Sequence, residues 1–150
     1  MSAKASIANE WQRIWFSIRR HDWNSLALVP SHPATDVVRV AETLAETGRV
    51  QGERPIIVIN GTGVQLAGVQ QVGEAIAANV ARGDRVMVTV DPIIDNPSAI
   101  AIVQAASSAL LVLRLGDAAF TDAQTTLDAV GRDRFLGSIV LDKSLKPSLK

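Results

Sequence analysis

The sequence contains no cysteine, no tyrosine and only two histidines, His21 and His32. Without cysteine there are no disulfides, thiolate nucleophiles or cysteine-ligated zinc. Two imidazoles are too few for a multi-histidine metal site. Neither sign of charge predominates, since Lys plus Arg and Asp plus Glu number 15 each. No global potential therefore directs the chain toward nucleic acid or an anionic membrane. No apolar run reaches the ~18 residues of a membrane span, so direct membrane insertion is not expected. The start, MSAKASIANEW, lacks the apolar core of a signal peptide. The cytoplasm is the expected compartment.

What is present describes a globular chain. Apolar residues make up 47% and charged residues 20%, in a length that can bury a real core. Ile7, Trp11, Ile14, Trp15 and Ile18 share one face of a helix predicted over 6–20. Ser25 to Val29 reads as a short strand stopped by Pro30. A helix over 36–47 follows, with Thr35 as its N-cap and Gly48 as its closing glycine. PIIVIN, residues 55–60, has the β-branched run of a strand buried on both faces. Residues 65–82 read as a helix closed by Gly83, and RVMVTV, 85–90, as a strand. Asn96 and Pro97 open another helix, and Ala109 to Leu113 is a further strand. Thr121 and Gln124 have capping-box spacing for a last helix, before a strand from Phe135 to Leu141. Five apolar strands alternating with helices predict a three-layer α/β fold, a mostly parallel five-stranded sheet covered on both faces. Residues 1–142 form one domain in this reading, and the tail 143–150, KSLKPSLK, is expected to fray.

Three segments carry a resemblance. The run DPIIDNPSAIAIVQAASSALLVLRLGDAAFTDAQTTLDAVGRDRFLGSIVLDK, the helix at 6–20 leading into SLALVP, and PIIVINGTG follow one another in a familiar order. Over roughly residues 6–143 the chain resembles the catalytic domain of bacterial tyrosine kinases of exopolysaccharide synthesis, part of the ParA/MinD-like P-loop ATPases. The resemblance implies a P-loop NTPase-like, Rossmann-like fold. It also places Ser31-His32-Pro33-Ala34-Thr35-Asp36 at the phosphate loop.

That loop holds no glycine and no lysine; the nearest lysines are Lys4 and Lys143. Phosphate cradling needs inward-turned backbone N–H groups and a neutralising cation. Pro33 has no N–H, and Asp36 would repel a phosphate at the helix start. Asn60 and Thr62 stand where the family has aspartates after its second strand. Thr89 or Asp91, depending on a gap, falls at the position of the Walker B aspartate, and Asp142 replaces a closing asparagine. A tyrosine-rich phosphorylated tail is impossible without tyrosine. The expectation is a degenerate relative, a pseudo-ATPase or pseudokinase with no cofactor and no phosphoryl transfer. Its family context implies regulation or scaffolding by self-association, or by contact with a membrane polysaccharide co-polymerase or export protein. Such a partner would hold it at the inner membrane.

Other readings rest on the residues themselves. Asn60, Gly61, Thr62 and Gly63, with Thr35 at a helix start, could present amides to a nucleotide or another anion at the strand ends. A weak nucleotide with Mg²⁺ is the corresponding cofactor. Glycine and asparagine serve a tight turn equally well. Asp91 and Asp95 could share a Mg²⁺, or could cap a turn and the next helix. Ser31 beside His32 suggests a nucleophile and base, but no third orienting group is identifiable. Trp11, Trp15, Phe16 and Trp23 form an aromatic cluster that could be core or, for Trp11, Trp15 and Phe16, a contact surface.

Overall fold

The computed structural model describes residues 3–52, 54–116, 119–142 and 146–150. Helix α1 (Ala3–Arg19) leads through a short link to β1 (Ser25–Pro30), and α2 (Val37–Gln51) follows. Next come β2 (Ile56–Asn60), α3 (Val69–Ala81), β3 (Arg85–Thr89) and α4 (Ser98–Ala105). The chain closes with β4 (Ser108–Arg114), α5 (Ala119–Val130), β5 (Phe135–Leu141) and β6 (Pro147–Leu149).

The strands form one sheet in the order β2-β3-β1-β4-β5-β6. The first five are mutually parallel, and β6 runs antiparallel to β5. The α/β class with a mostly parallel sheet is as the sequence predicts, but there are six strands rather than five. The extra one comes from the tail expected to fray. Lys150 donates its N–H to the Ser138 carbonyl at 2.8 Å and accepts from the Ser138 N–H at 3.1 Å. Polar, lysine-dotted residues conceal a strand that needs only main-chain partners along an open edge.

Alternation along β1 divides the core in two. Leu26 and Leu28 enter a cluster with Trp15, Trp23, Val40 and Leu44 of the α1–α2 side. Ala27 and Val29 enter the opposite cluster, with Ile76, Ile102 and Val103 of α3 and α4. All six residues of β1 are buried, which fits a strand covered on both faces in the sheet centre.

Two helix ends differ from expectation. The N-cap of α2 is Asp36, whose carboxylate accepts from the Arg39 N–H at 3.2 Å; Thr35 does not cap. Helix α2 also runs past Gly48 to Gln51 and stops at Gly52, which is left-handed at φ 77°. Gly48 is a packing notch instead. A Cβ there would lie 2.4 Å from Ile56 Cδ1 and 2.7 Å from two ring carbons of Trp15.

The topology fixes where a ligand site would lie. From β1 the chain turns through α2 over one face to the β2 edge. From β3 and β4 it turns the other way over the second face. Connections part between the carboxyl ends of β1 and β4, the usual location of ligands in open α/β sheets. At the β2 edge, Arg49 donates from Nε and Nη2 to the Ile56 carbonyl, at 3.2 and 2.9 Å. One outward carbonyl of the open strand is thereby covered.

Candidate functional site

The turn 31–36 lies at this parting of connections. Ser31 is pinned by its N–H to the Val112 carbonyl at 3.0 Å, and Thr35 N–H donates to the His32 carbonyl at 3.1 Å. His32 Nδ1 accepts from the Ala34 N–H at 3.1 Å, so its ring is engaged within its own loop and is not a base for Ser31. Ser31 and Thr35 are 1% and 8% exposed, and neither hydroxyl has a hydrogen-bond partner. Their burial was not legible in the sequence, where Ser31 reads as part of the strand-to-helix turn and Thr35 as a helix cap.

The first turn of α2 already holds an anion. Asp36 sits where a phosphate-binding loop would deliver its ligand, and its own carboxylate takes an amide of that turn.

Asn60 to Gly63 come together with Asp91 on the adjacent strand end. Asn60 Oδ1 accepts from Thr62 N–H (3.0 Å), Thr62 Oγ1 (2.6 Å) and Thr89 Oγ1 (3.2 Å). Gly61 N–H donates to the Thr89 carbonyl at 2.8 Å, and a Cβ on Gly61 would approach that oxygen to 2.6 Å. Close backbone approach is thus what requires glycine at 61. Gly63 is left-handed at φ 77°, and its N–H donates to Asp91 Oδ2 at 2.8 Å. Asn96 Nδ2 donates to the same oxygen at 3.0 Å and to the Val64 carbonyl at 2.9 Å. Asn96 Oδ1 in turn accepts from the Ser98 N–H at 3.2 Å, at the start of α4. The loops after β2 and β3 are therefore braced to each other by side chains of the protein.

Asp95 is exposed in the turn that its N–H closes onto the Pro92 carbonyl at 3.0 Å. Asp91 and Asp95 thus sit in one loop, with one Asp91 oxygen committed to Gly63 and Asn96. Among the described residues no group of three or more His, Cys, Asp and Glu side chains is placed to hold a metal ion.

The aromatic cluster separates into core and surface. Trp15 is 2% exposed, meets Trp23 edge-on at 6.2 Å, and donates Nε1 to Gln51 Oε1 at 3.0 Å. Trp23 is fully buried, donates to the Ile18 carbonyl at 2.9 Å, and lies under the Arg85 guanidinium at 4.8 Å. Trp11 is buried in the same cluster. Trp11 and Trp15 thus belong to the core cluster on the α1–α2 side. Phe16, one position round the helix, is half exposed beside Arg19.

No family model matches the chain, and no curated protein matches it in sequence. Solved structures do match. The kinase domain of Escherichia coli tyrosine kinase ETK aligns with a TM-score of 0.68 at 13% identity, covering 87% of this chain and 72% of its own. The chimerical protein CapA2B2 aligns with a TM-score of 0.73 at 11% identity, covering 90% of this chain and 84% of its own. The chain therefore has the P-loop NTPase-like α/β fold of a bacterial tyrosine kinase domain.

Proposed function

We propose that the protein is a non-catalytic relative of the exopolysaccharide tyrosine kinases, acting by protein contact as a regulator or scaffold. One observation carries this reading: at each of the two strand-end loops a backbone amide is already held by one of the protein's own carboxylates. Asp36 takes the first turn of α2, and Asp91 takes Gly63. A nucleotide phosphate arriving at either place meets a fixed negative charge and must displace a charge-assisted hydrogen bond. The loop supplies no lysine or glycine to compensate. The same observation disfavours anion binding at Asn60 to Gly63. Contact through α1 would use the exposed surface around Phe16.

Titration calorimetry with Mg·ATP tests the proposal. No saturable heat and no release of phosphate are expected. A micromolar dissociation constant, or turnover abolished by Asp91→Ala, overturns it.

A further inference from the structure

A large concavity lies between α1 and α2 and reaches the turn 31–36 at one end. It encloses about 990 Å³, at the upper end of the range for small-molecule sites. Trp11, Trp15, Phe16, Val40, Val50 and Leu141 supply its apolar lining. Phe16 is 50% and Val50 81% exposed, so the apolar lining is open to solvent along one side. On α2 the lining runs from Asp36 to Gln51, a length of about 22 Å at 1.5 Å per residue. The space is thus a long apolar channel rather than a round pocket.

Its chemistry is asymmetric. Arg39 and Arg114 both line it and have no hydrogen-bond or ion-pair partner for their guanidinium groups among the described residues. Thr35 lines it as well, with its hydroxyl turned into the protein interior. Arg39 lies in the first turn of α2 and Arg114 ends β4, so both belong to the strand-end portion of the channel. Carboxylates in the lining are partly committed: Asp36 caps α2 and Glu46 pairs with Arg49. Glu42 also lines the neighbouring cleft beside β2.

We infer that this channel binds a single-tailed anionic amphiphile, its hydrocarbon tail along Trp11, Trp15 and Val40 and its carboxylate or phosphate head at Arg39 and Arg114. The head forms charge-assisted hydrogen bonds with both guanidinium groups. The tail covers Phe16 and Val50. This inference goes beyond the scaffold reading and does not depend on it.

Tryptophan position supplies the assay. Trp11 and Trp15 line the channel, whereas Trp23 is fully buried. Dibromostearate, titrated below its micelle concentration, should quench tryptophan emission saturably. The double variant Arg39→Gln/Arg114→Gln should weaken that binding at least tenfold while leaving the dibromostearate methyl ester unaffected. Thr47→Phe, filling the middle of the channel, should abolish quenching with thermal stability retained. Displacement by farnesyl monophosphate supports a head site open to phosphates, and displacement by stearate alone supports one restricted to carboxylates. Absence of saturable quenching overturns the inference and leaves a protein segment as the occupant. Quenching unchanged in both variants overturns it too.

Discussion

Replacing Gly48 by alanine sets two opposed effects against each other at one atom. In a helix interior, alanine is favoured over glycine by about 1 kcal/mol, and Gly48 is well inside α2. Against this, the added Cβ would fall 2.4 Å from Ile56 Cδ1 and 2.7 Å from Trp15 Cζ2 and Cη2. The isoleucine tip can rotate away. The indole cannot, because it is wedged against Trp23 and tethered to Gln51. Overpacking costs about 1–3 kcal/mol, and contacts below 3 Å against a fixed ring belong in the upper part of that range, about 2–3 kcal/mol, so the net expectation for Gly48→Ala is a loss of about 1–2 kcal/mol after the propensity gain. In thermal unfolding that is a fall of about 3–6 °C for a chain of this size. Urea titration followed by tryptophan fluorescence measures it directly. Adding Trp15→Phe should shrink the penalty of Gly48→Ala, since the smaller ring lacks the two carbons that clash; the two substitutions should be non-additive. A Gly48→Ala protein as stable as the parent, or more so, would refute the argument that α1 and α2 meet at a glycine notch.

Asn60→Ala should cost about 1–2 kcal/mol in urea unfolding, because it leaves the fully buried Thr89 hydroxyl without its acceptor. Asn60→Asp, which keeps the accepting oxygen, should lose less. Asp91→Ala frees the Gly63 and Asn96 donors together and should destabilise by about 1–3 kcal/mol, with raised hydrogen exchange at Gly63 as the local signature. Asp36→Ala should cost about 1 kcal/mol as a lost cap, and Mg·ATP should still fail to bind in calorimetry. Removing residues 146–150 strips β6 from β5 and should lower the urea midpoint by the equivalent of about 2 kcal/mol, chiefly through loss of Leu149 from the core edge.

The strands were legible because they are apolar and β-branched, but the burial on both faces expected of PIIVIN is corrected: β1 and β3 are buried throughout, whereas β2 lies at the sheet edge and only its Ile56 is buried. PIIVIN and RVMVTV could hardly be anything else. What escaped was whatever depends on a partner distant in sequence. Gly48 looks like a helix stop until Trp15 is seen against it. Thr35 looks like a cap, but Asp36, one residue on, has the geometry to reach the Arg39 amide. The tail carries no apolar pattern, since its pairing with Ser138 is made by main chain alone. The site fared similarly: the residue types around 60–63 and 91 were identifiable as a group at one sheet edge. That Asp91 is the internal acceptor for Gly63, rather than half of a metal pair, emerges only when the loops after β2 and β3 are side by side. The channel between α1 and α2 left no motif at all, because its lining is the ordinary apolar spacing of two helices that diverge.

The position of β1 has a consequence for how the chain folds as it is made. Leu28 pairs with Thr89 on one side and Leu110 on the other. Strand β1 therefore has no neighbour until β3, Arg85–Thr89, has emerged. At about 5–20 residues per second, SLALVP waits for seconds with its apolar side chains uncovered, and PIIVIN waits beside it for β3. Contacts this distant in sequence also slow folding of the finished chain. During that interval α1 and α2, whose glycine notch can form locally, are the elements able to shelter β1. The tight seating of Trp15 on Gly48 thus bears on survival of the nascent chain as well as on stability of the finished one.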